Sequence, residues 1–227
     1  MASAQFNLRD WKYTLSNENC DEECKPTGVL GLMWDTCSDT LYCDVNNVNL
    51  PDVITRRDIL SCVHRIFDPI GYTCPVTVCP KLLLQASWRQ KISWDDEVPE
   101  EIKNKFLKWH KELPMLSEVK IPRCVTVPQT SENISLHTFC DASKSAYSAV
   151  VFLRSTKEET VNVQLMMAKS RIAPLKEMTI PRLELMACCI GARLAKTILE
   201  SMSIGLSNVS AYFWTDSSTA LYWIQNN

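Results

Sequence analysis

The sequence predicts an α/β protein in two parts: a mainly helical segment carrying a small hairpin, then a mixed sheet with a helical crossover. Three observations predict it. The apolar period changes from helical to two near residue 131. After that point the elements read β-β-β-α-β-α, with the last helix barely begun at Asn227. Before it, apolar helical stripes follow a turn-separated strand pair. The 227 residues suffice for one large domain or two small ones. The pattern divides them into a polar segment 1–27, a segment 28–130 and a sheet-bearing segment 131–227, with the boundary near 125–131.

Each element has a local cause. Val29–Trp34 and Thr40–Cys43 are apolar runs separated by the turn composition of Asp35–Asp39. Ile59, Leu60, Val63, Ile66 and Phe67 recur at helical spacing until Asp68-Pro69 stops the helix, and Gly71 allows a turn. A second apolar helix covers 76–88. Asp95, Asp96, Glu100 and Glu101 suit the start of a third, whose stripe is Ile102, Phe106, Trp109 and Leu113. Pro114 and Ile121–Cys124 end it. Core packing explains these stripes.

Ile134–Asp141, Ala146–Leu153 and Val161–Met167 then read as strands, the last with Val161, Val163, Leu165 and Met167 on one face. Pro181 suits the first turn of a helix over 181–200 lined by Leu183, Met186, Ala187, Ile190, Leu194 and Ile198. Val209–Thr215 is a fourth strand of this part, and Ser217 or Ser218 caps a further helix.

Composition is that of a folded soluble chain, 46% hydrophobic and 22% charged. A net charge of −2 offers no support for a basic nucleic-acid-binding domain, although a local patch remains compatible with it. Eleven cysteines, an odd number scattered through apolar runs, read mostly as buried thiols in a reducing compartment. Cys20 and Cys24 are not followed by a second Cys/His pair at ligand spacing, which argues against zinc. Met1–Asp10 has no signal-peptide pattern, and no apolar run approaches the ~18 residues of a membrane span.

Three acids stand out by context. Asp141 follows the strand Ser135–Cys140, Glu184 lies in Pro181-Arg-Leu-Glu-Leu-Met-Ala187, and Asp216 follows the strand Tyr212–Thr215. A carboxylate is costly to desolvate, so one that bounds an apolar strand calls for a partner. A helical crossover favours parallel pairing of the strands it joins. Asp141 and Asp216 then end adjacent strands at one sheet edge, the edge where ligands bind in such sheets. Glu184 can lean toward it. Clustered oxygen donors suit Mg²⁺, and two such ions about 3.5–4 Å apart support in-line attack of water on a phosphodiester. The stretch Ala168–Arg182, read as a loop, adds Lys169, Arg171, Lys176 and Arg182 against one acid, Glu177. These cations suit phosphate contacts that position a strand without reading its sequence.

Residues 131–227 resemble the front part of an RNase H domain, through the Asp-Ala-Ser after a strand, the Pro-Arg-Leu-Glu-Leu helix start and the Thr-Asp-Ser-Ser strand end. The chain from about residue 28 onward is similar to the pol polyprotein of BEL/Pao-type LTR retrotransposons. Thr55–Leu60, Ile66–Gly71, Trp94–Asp96, Leu113-Pro114 and Ile121–Arg123 match its stretch between the reverse-transcriptase palm and RNase H. The resemblance implies a C-terminally truncated RNase H-like mixed sheet behind a thumb/connection segment. It implies Asp141, Glu184 and Asp216 as catalytic metal ligands of a two-ion Mg²⁺ or Mn²⁺ site, with an RNA:DNA hybrid as substrate. It implies the rest of the polyprotein, polymerase palm and integrase, as partners, no membrane, and a cytoplasmic setting in a virus-like particle or a nuclear one. The fourth acid of RNase H enzymes falls after the helix that begins near Ser217, so the expected set is incomplete by Asn227 and the resemblance implies impaired hydrolysis. A Tyr/Phe-x-Asp-Asp polymerase turn is absent; Trp94-Asp-Asp96 reads as helical.

Two other functions compete. A non-catalytic nucleic-acid-binding or structural remnant of reverse transcriptase would leave the acids as relics. The family region also bears the name Pao retrotransposon peptidase, but no Asp-Thr/Ser-Gly occurs, and strand alternation turns His137 and Cys140 to opposite faces.

Overall fold

The computed structural model describes residues 13–14, 25–45, 50–125, 133–202 and 209–226. The predicted polar segment and the Cys20/Cys24 pair therefore lie almost wholly outside the described residues.

The first half begins with β1 (Thr27–Val29), β2 (Leu32–Asp35) and β3 (Thr40–Tyr42). They form an antiparallel meander that β4 (Ile121–Pro122) completes by pairing with β3. Ile121–Cys124, expected to end a helix, instead begins with a strand; its pairing with β3 is long-range and has no local signal. Between these strands lie α1 (Arg56–Arg65), α2 (Cys74–Arg89), α3 (Glu100–Glu112) and a 3-10 helix, Leu113–Glu118. Thr55 and Asp58 close a reciprocal capping box on α1. Ile59, Phe106 and Ile102 are buried, as their spacing predicts, whereas Phe67 is exposed and lies over Gly31. Asp95 and Asp96 precede α3 rather than start it, so Trp94-Asp-Asp96 is not helical. Arg56 is buried, its guanidinium 4.3 Å from the Trp94 ring centroid, and donates to the Ile92 carbonyl.

Two ion pairs fasten the chain around β4 to the hairpin. Lys120 Nζ lies 2.9 Å from Asp35, and Arg123 Nε lies 2.6 Å from Asp39. Arg123 also stacks over Trp34, whose indole N–H donates to Asp39 at 2.9 Å. The Lys120 ammonium holds the Asp35 carboxyl well below its ordinary value against partial burial, and the Arg123 guanidinium does the same for Asp39.

The second half is a four-stranded sheet of order β7-β6-β5-β8, with β5 (Asn133–Ala142), β6 (Ala146–Lys157), β7 (Thr160–Ile172) and β8 (Ser210–Trp214). The β5–β6 and β6–β7 pairs are antiparallel and the β5–β8 pair is parallel. The crossover is α4 (Ile180–Met202), whose Leu183, Ala187, Ile190, Leu194 and Ile198 pack on Leu136, Cys140, Ala149, Val151 and Leu153. A short α5 (Ser218–Gln225) follows, capped by Ser217. A register irregularity at Val151/Phe152 puts Leu165 opposite Phe152 but Met167 opposite Val151. Met167 thus leaves the face it was predicted to share with Val161 and Val163.

The halves meet at a built turn. The Asp68 carboxylate accepts the backbone N–H groups of Ile70, Gly71 and Thr73 at 3.1, 2.7 and 2.6 Å. That turn presents Ile70 O to the N–H of Ala168 on β7 at 2.8 Å. Gly71, at φ +90°, lies so close that a Cβ would overlap the Ala168 carbonyl. Among the described residues no helix is long and apolar enough to cross a membrane.

The cysteine expectation needs correction. Of the eight free cysteines described, only Cys43, Cys62 and Cys140 are buried, and Cys37 is disulfide-bonded.

Two outcomes follow from these contacts. Gly71→Ala adds a side chain at positive φ against backbone, so chemical denaturation should show a loss of about 1–3 kcal/mol; an unchanged midpoint refutes the docking role. Because Asp35 and Asp39 are held below 3.8, their contribution is complete above that value and is lost as pH falls through their lower folded-state values. In fixed moderate urea, Trp34 emission should report unfolding on acidification below about pH 4. Asp39→Asn should flatten that acid slope; an identical slope refutes the link.

Candidate functional site

Strand alternation sorts β5 into two sides. Leu136, Thr138 and Cys140 are buried beneath α4, and His137, Phe139 and Asp141 face away from it. Parallel pairing sets Phe139 opposite Trp214 on β8. The same offset carried two residues further brings Asp141 beside Asp216. Both acids are exposed, and both line one cavity of about 360 Å³ with Phe139, Ser148, Trp214 and Thr215. Asp141 Oδ1 accepts the Ala142 N–H at 2.7 Å, which fixes the carboxylate at the strand end. Neither acid is in an ion pair with a cation among the described residues.

Glu184 lies near the start of α4, on the opposite side of the sheet from His137 and Phe139. The helix runs opposite to β5 and β8, so its first turns overhang their carboxyl ends. The crossing point is Gly191, where a Cβ would lie 2.5 Å from Cys140 Sγ and 2.8 Å from Thr138 Cγ2. One turn nearer the helix start, Cys188 lines a cavity with Cys140 and Thr215, and the half-buried Glu184 stands four residues before it on the helix. The adjoining Cys140 side chain, with Thr215, lowers the Cys188 thiol to about 7 against burial and the Glu184 charge, while the Cys140 thiol is raised by its Cys188 neighbour and by burial. Glu184 does not line the cavity of Asp141 and Asp216. No group of three or more His, Cys, Asp or Glu close enough to hold a metal ion occurs among the described residues.

The predicted basic loop is not one loop. Lys169 and Arg171 belong to β7, opposite Ala149 and Tyr147, and only Lys176 lies in the connection. Arg182 is in the first turn of α4, and all four side chains are exposed. Because β7 runs parallel to β5, the β7 pair ends at the same sheet edge as the acids. A short apolar run ending at Met167 concealed the strand's last turn of the ladder, since Lys, Ser and Arg carry weak strand preference.

Sequence reasoning missed an aromatic row on the side facing away from α4. His137 stacks on Tyr212 at 5.1 Å and on Trp214 at 6.0 Å, and Phe139 stacks on Trp214 at 6.0 Å. The Trp214 indole N–H donates to His137 Nδ1 at 3.2 Å, leaving Nε2 to donate to Ser135 Oγ at 3.0 Å. The signal was present: aromatic or His residues alternate at 137, 139, 212 and 214. His137 and Cys140 do face opposite sides, so no Cys–His pair assembles there.

Gly191 carries the helix–sheet approach. Gly191→Val should destabilise the fold by about 1–3 kcal/mol through overpacking, with Gly191→Ala between it and wild type. Urea denaturation measures this; a neutral valine contradicts the close crossing.

The family described as Pao retrotransposon-like RNaseH-like domain matches residues 55–217. No curated protein matches the chain. The structure of the foamy viral protease-reverse transcriptase dRH in complex with ds DNA is similar over 87% of this chain and 32% of its own, at 9% identity and TM-score 0.44. The foamy viral protease-reverse transcriptase in complex with dsDNA is similar over 87% of this chain and 38% of its own, at 11% identity and TM-score 0.40. The chain thus spans about a third of the length of these proteins.

Proposed function

The chain belongs to the Pao retrotransposon-like RNaseH-like domain family, and from that premise we propose that it hydrolyses the RNA strand of RNA:DNA hybrids within a retroelement polyprotein. The observation that carries this reading is the shared cavity of Asp141 and Asp216 at the ends of adjacent parallel strands. Two exposed carboxylates side by side repel one another, and a hard divalent cation relieves that repulsion. Mg²⁺ or Mn²⁺ fits a two-carboxylate edge because Mg²⁺ keeps several waters and needs few protein ligands. Asp141 and Asp216 would hold it, with Glu184 as third donor from the helix start. When bound, such ions activate water and stabilise the leaving oxygen of a phosphodiester.

The chain's own groups have separate tasks. The Ala142 N–H fixes one oxygen of Asp141, so the carboxylate is oriented before substrate arrives. Lys169, Arg171, Lys176 and Arg182 are assigned to phosphates of the strand, which they would position without reading bases. The remaining polyprotein, including polymerase palm and integrase, supplies the partners in this reading.

A second reading has its own support. Since the described residues close no three-ligand group, a nucleic-acid-binding remnant without catalysis also fits. Cleavage separates the two. With Mg²⁺ or Mn²⁺ present, the wild-type chain should cut the RNA of a labelled hybrid, and Asp141→Asn or Asp216→Asn should reduce the rate about a hundredfold or more. An intact hybrid with wild type, alongside salt-sensitive binding of it, selects the remnant.

A further inference from the structure

Neither the metal reading nor the family likeness uses the sulfur pair under α4. We propose that Cys140 and Cys188 form a thiol oxidation site, which a peroxide converts to a disulfide joining β5 to α4. Three observations place the sulfurs together. The Cys188 side chain beside it helps raise the Cys140 thiol. Both residues line one cavity of about 310 Å³ between β8, α4 and α5, with Thr215, Phe213 and Leu221. Gly191 lets the helix settle directly over Cys140, whose Sγ is 2.5 Å from the position a Gly191 Cβ would take. Cys188 is three residues before Gly191, so it occupies the same side of the helix about 5–6 Å from that position.

The two cysteines differ in access. Cys188 is half-buried and Cys140 is 6% exposed, so the helix thiol meets the oxidant first. Its sulfur attacks one peroxide oxygen: an S–O bond forms, the O–O bond breaks, and the departing hydroxide takes up the thiol proton as water. The Cys140 sulfur then attacks the sulfenic sulfur: an S–S bond forms, the S–O bond breaks, and the second hydroxide leaves as water with the Cys140 proton. Two thiols lose two electrons, and one peroxide becomes two waters. The neighbouring Cys189 is exposed on another side of α4 and serves as an internal control.

The bridge would be placed inside the candidate site. Cys140 immediately precedes Asp141, Cys188 contacts the residue before Asp216, and Glu184 is one helical turn away. A covalent tie there fixes the helix start against the strand end that carries the acids.

The test is a peptide map of the full chain before and after hydrogen peroxide, with free thiols blocked at the end. The expected product links the Cys140 and Cys188 peptides, with a mass lower by two hydrogens and reversal by a dithiol reductant. Cys188→Ser should abolish that linked peptide, and Cys189→Ser should leave it. Recovery of Cys140 as a free thiol while Cys188 accumulates as sulfinic acid overturns the proposal. A bridge from Cys188 to Cys189, or to any other cysteine, overturns it too. The wild-type map decides the matter alone, so a variant that fails to fold does not rescue it. No cleavage assay enters, and the result is independent of the nuclease reading.

Discussion

The parallel pairing of β5 with β8 is the constraint on which the candidate site depends. Antiparallel pairing would put the carboxyl end of one strand beside the amino end of the other and separate Asp141 from Asp216. Parallel strands need a crossover, and the chain supplies it as α4, which must return along the sheet before β8 begins. The crossover is tight because residue 191 is glycine, and the bare backbone there rests on Cys140 and Thr138. The closeness of the helix to the sheet therefore follows from one packing contact.

A second constraint joins the halves. Asp68 spends its carboxylate on three backbone N–H groups, and the resulting turn offers Ile70 and Gly71 to β7 at Ala168. Gln85 on α2 adds a hydrogen bond to the Ala173 carbonyl just past the strand. The helical half thus grips β7 on both sides of Lys169 and Arg171. A cavity of about 510 Å³ remains between α2 and the sheet, with Asp141 on its lining. The two halves have separate apolar cores, yet they share this seam beside the acid.

Much of this was legible in residue order. The period-two runs mark β5, β6 and β8 closely, the heptad-like stripe of α4 is unmistakable, and Asp68-Pro69 with Gly71 announces a turn. Glu184 and the two strand-end aspartates were recognisable because each breaks the apolar pattern at an element boundary. Other features were opaque for definite reasons. The extension of β7 through Lys169 and Arg171 depends on a paired ladder with β6, not on propensity. The irregularity at Val151/Phe152 moves Met167 to the other face without any residue that advertises a bulge. Pairing of β4 with β3 joins residues eighty positions apart in the chain, and no local pattern encodes such a contact.

The sequence by itself determined which residues carry charge, where apolar periodicity changes, and the order strand–helix–strand that makes a parallel crossover favourable. Those are local properties, set by side-chain type and the fixed geometry of helix and strand. Tertiary structure alone decided that Asp141 and Asp216 line one cavity while Glu184 stands outside its lining, and that Cys188 and Cys140 line another. Such relations depend on how closely a helix can approach a sheet, and that distance is set by the atoms of both elements together.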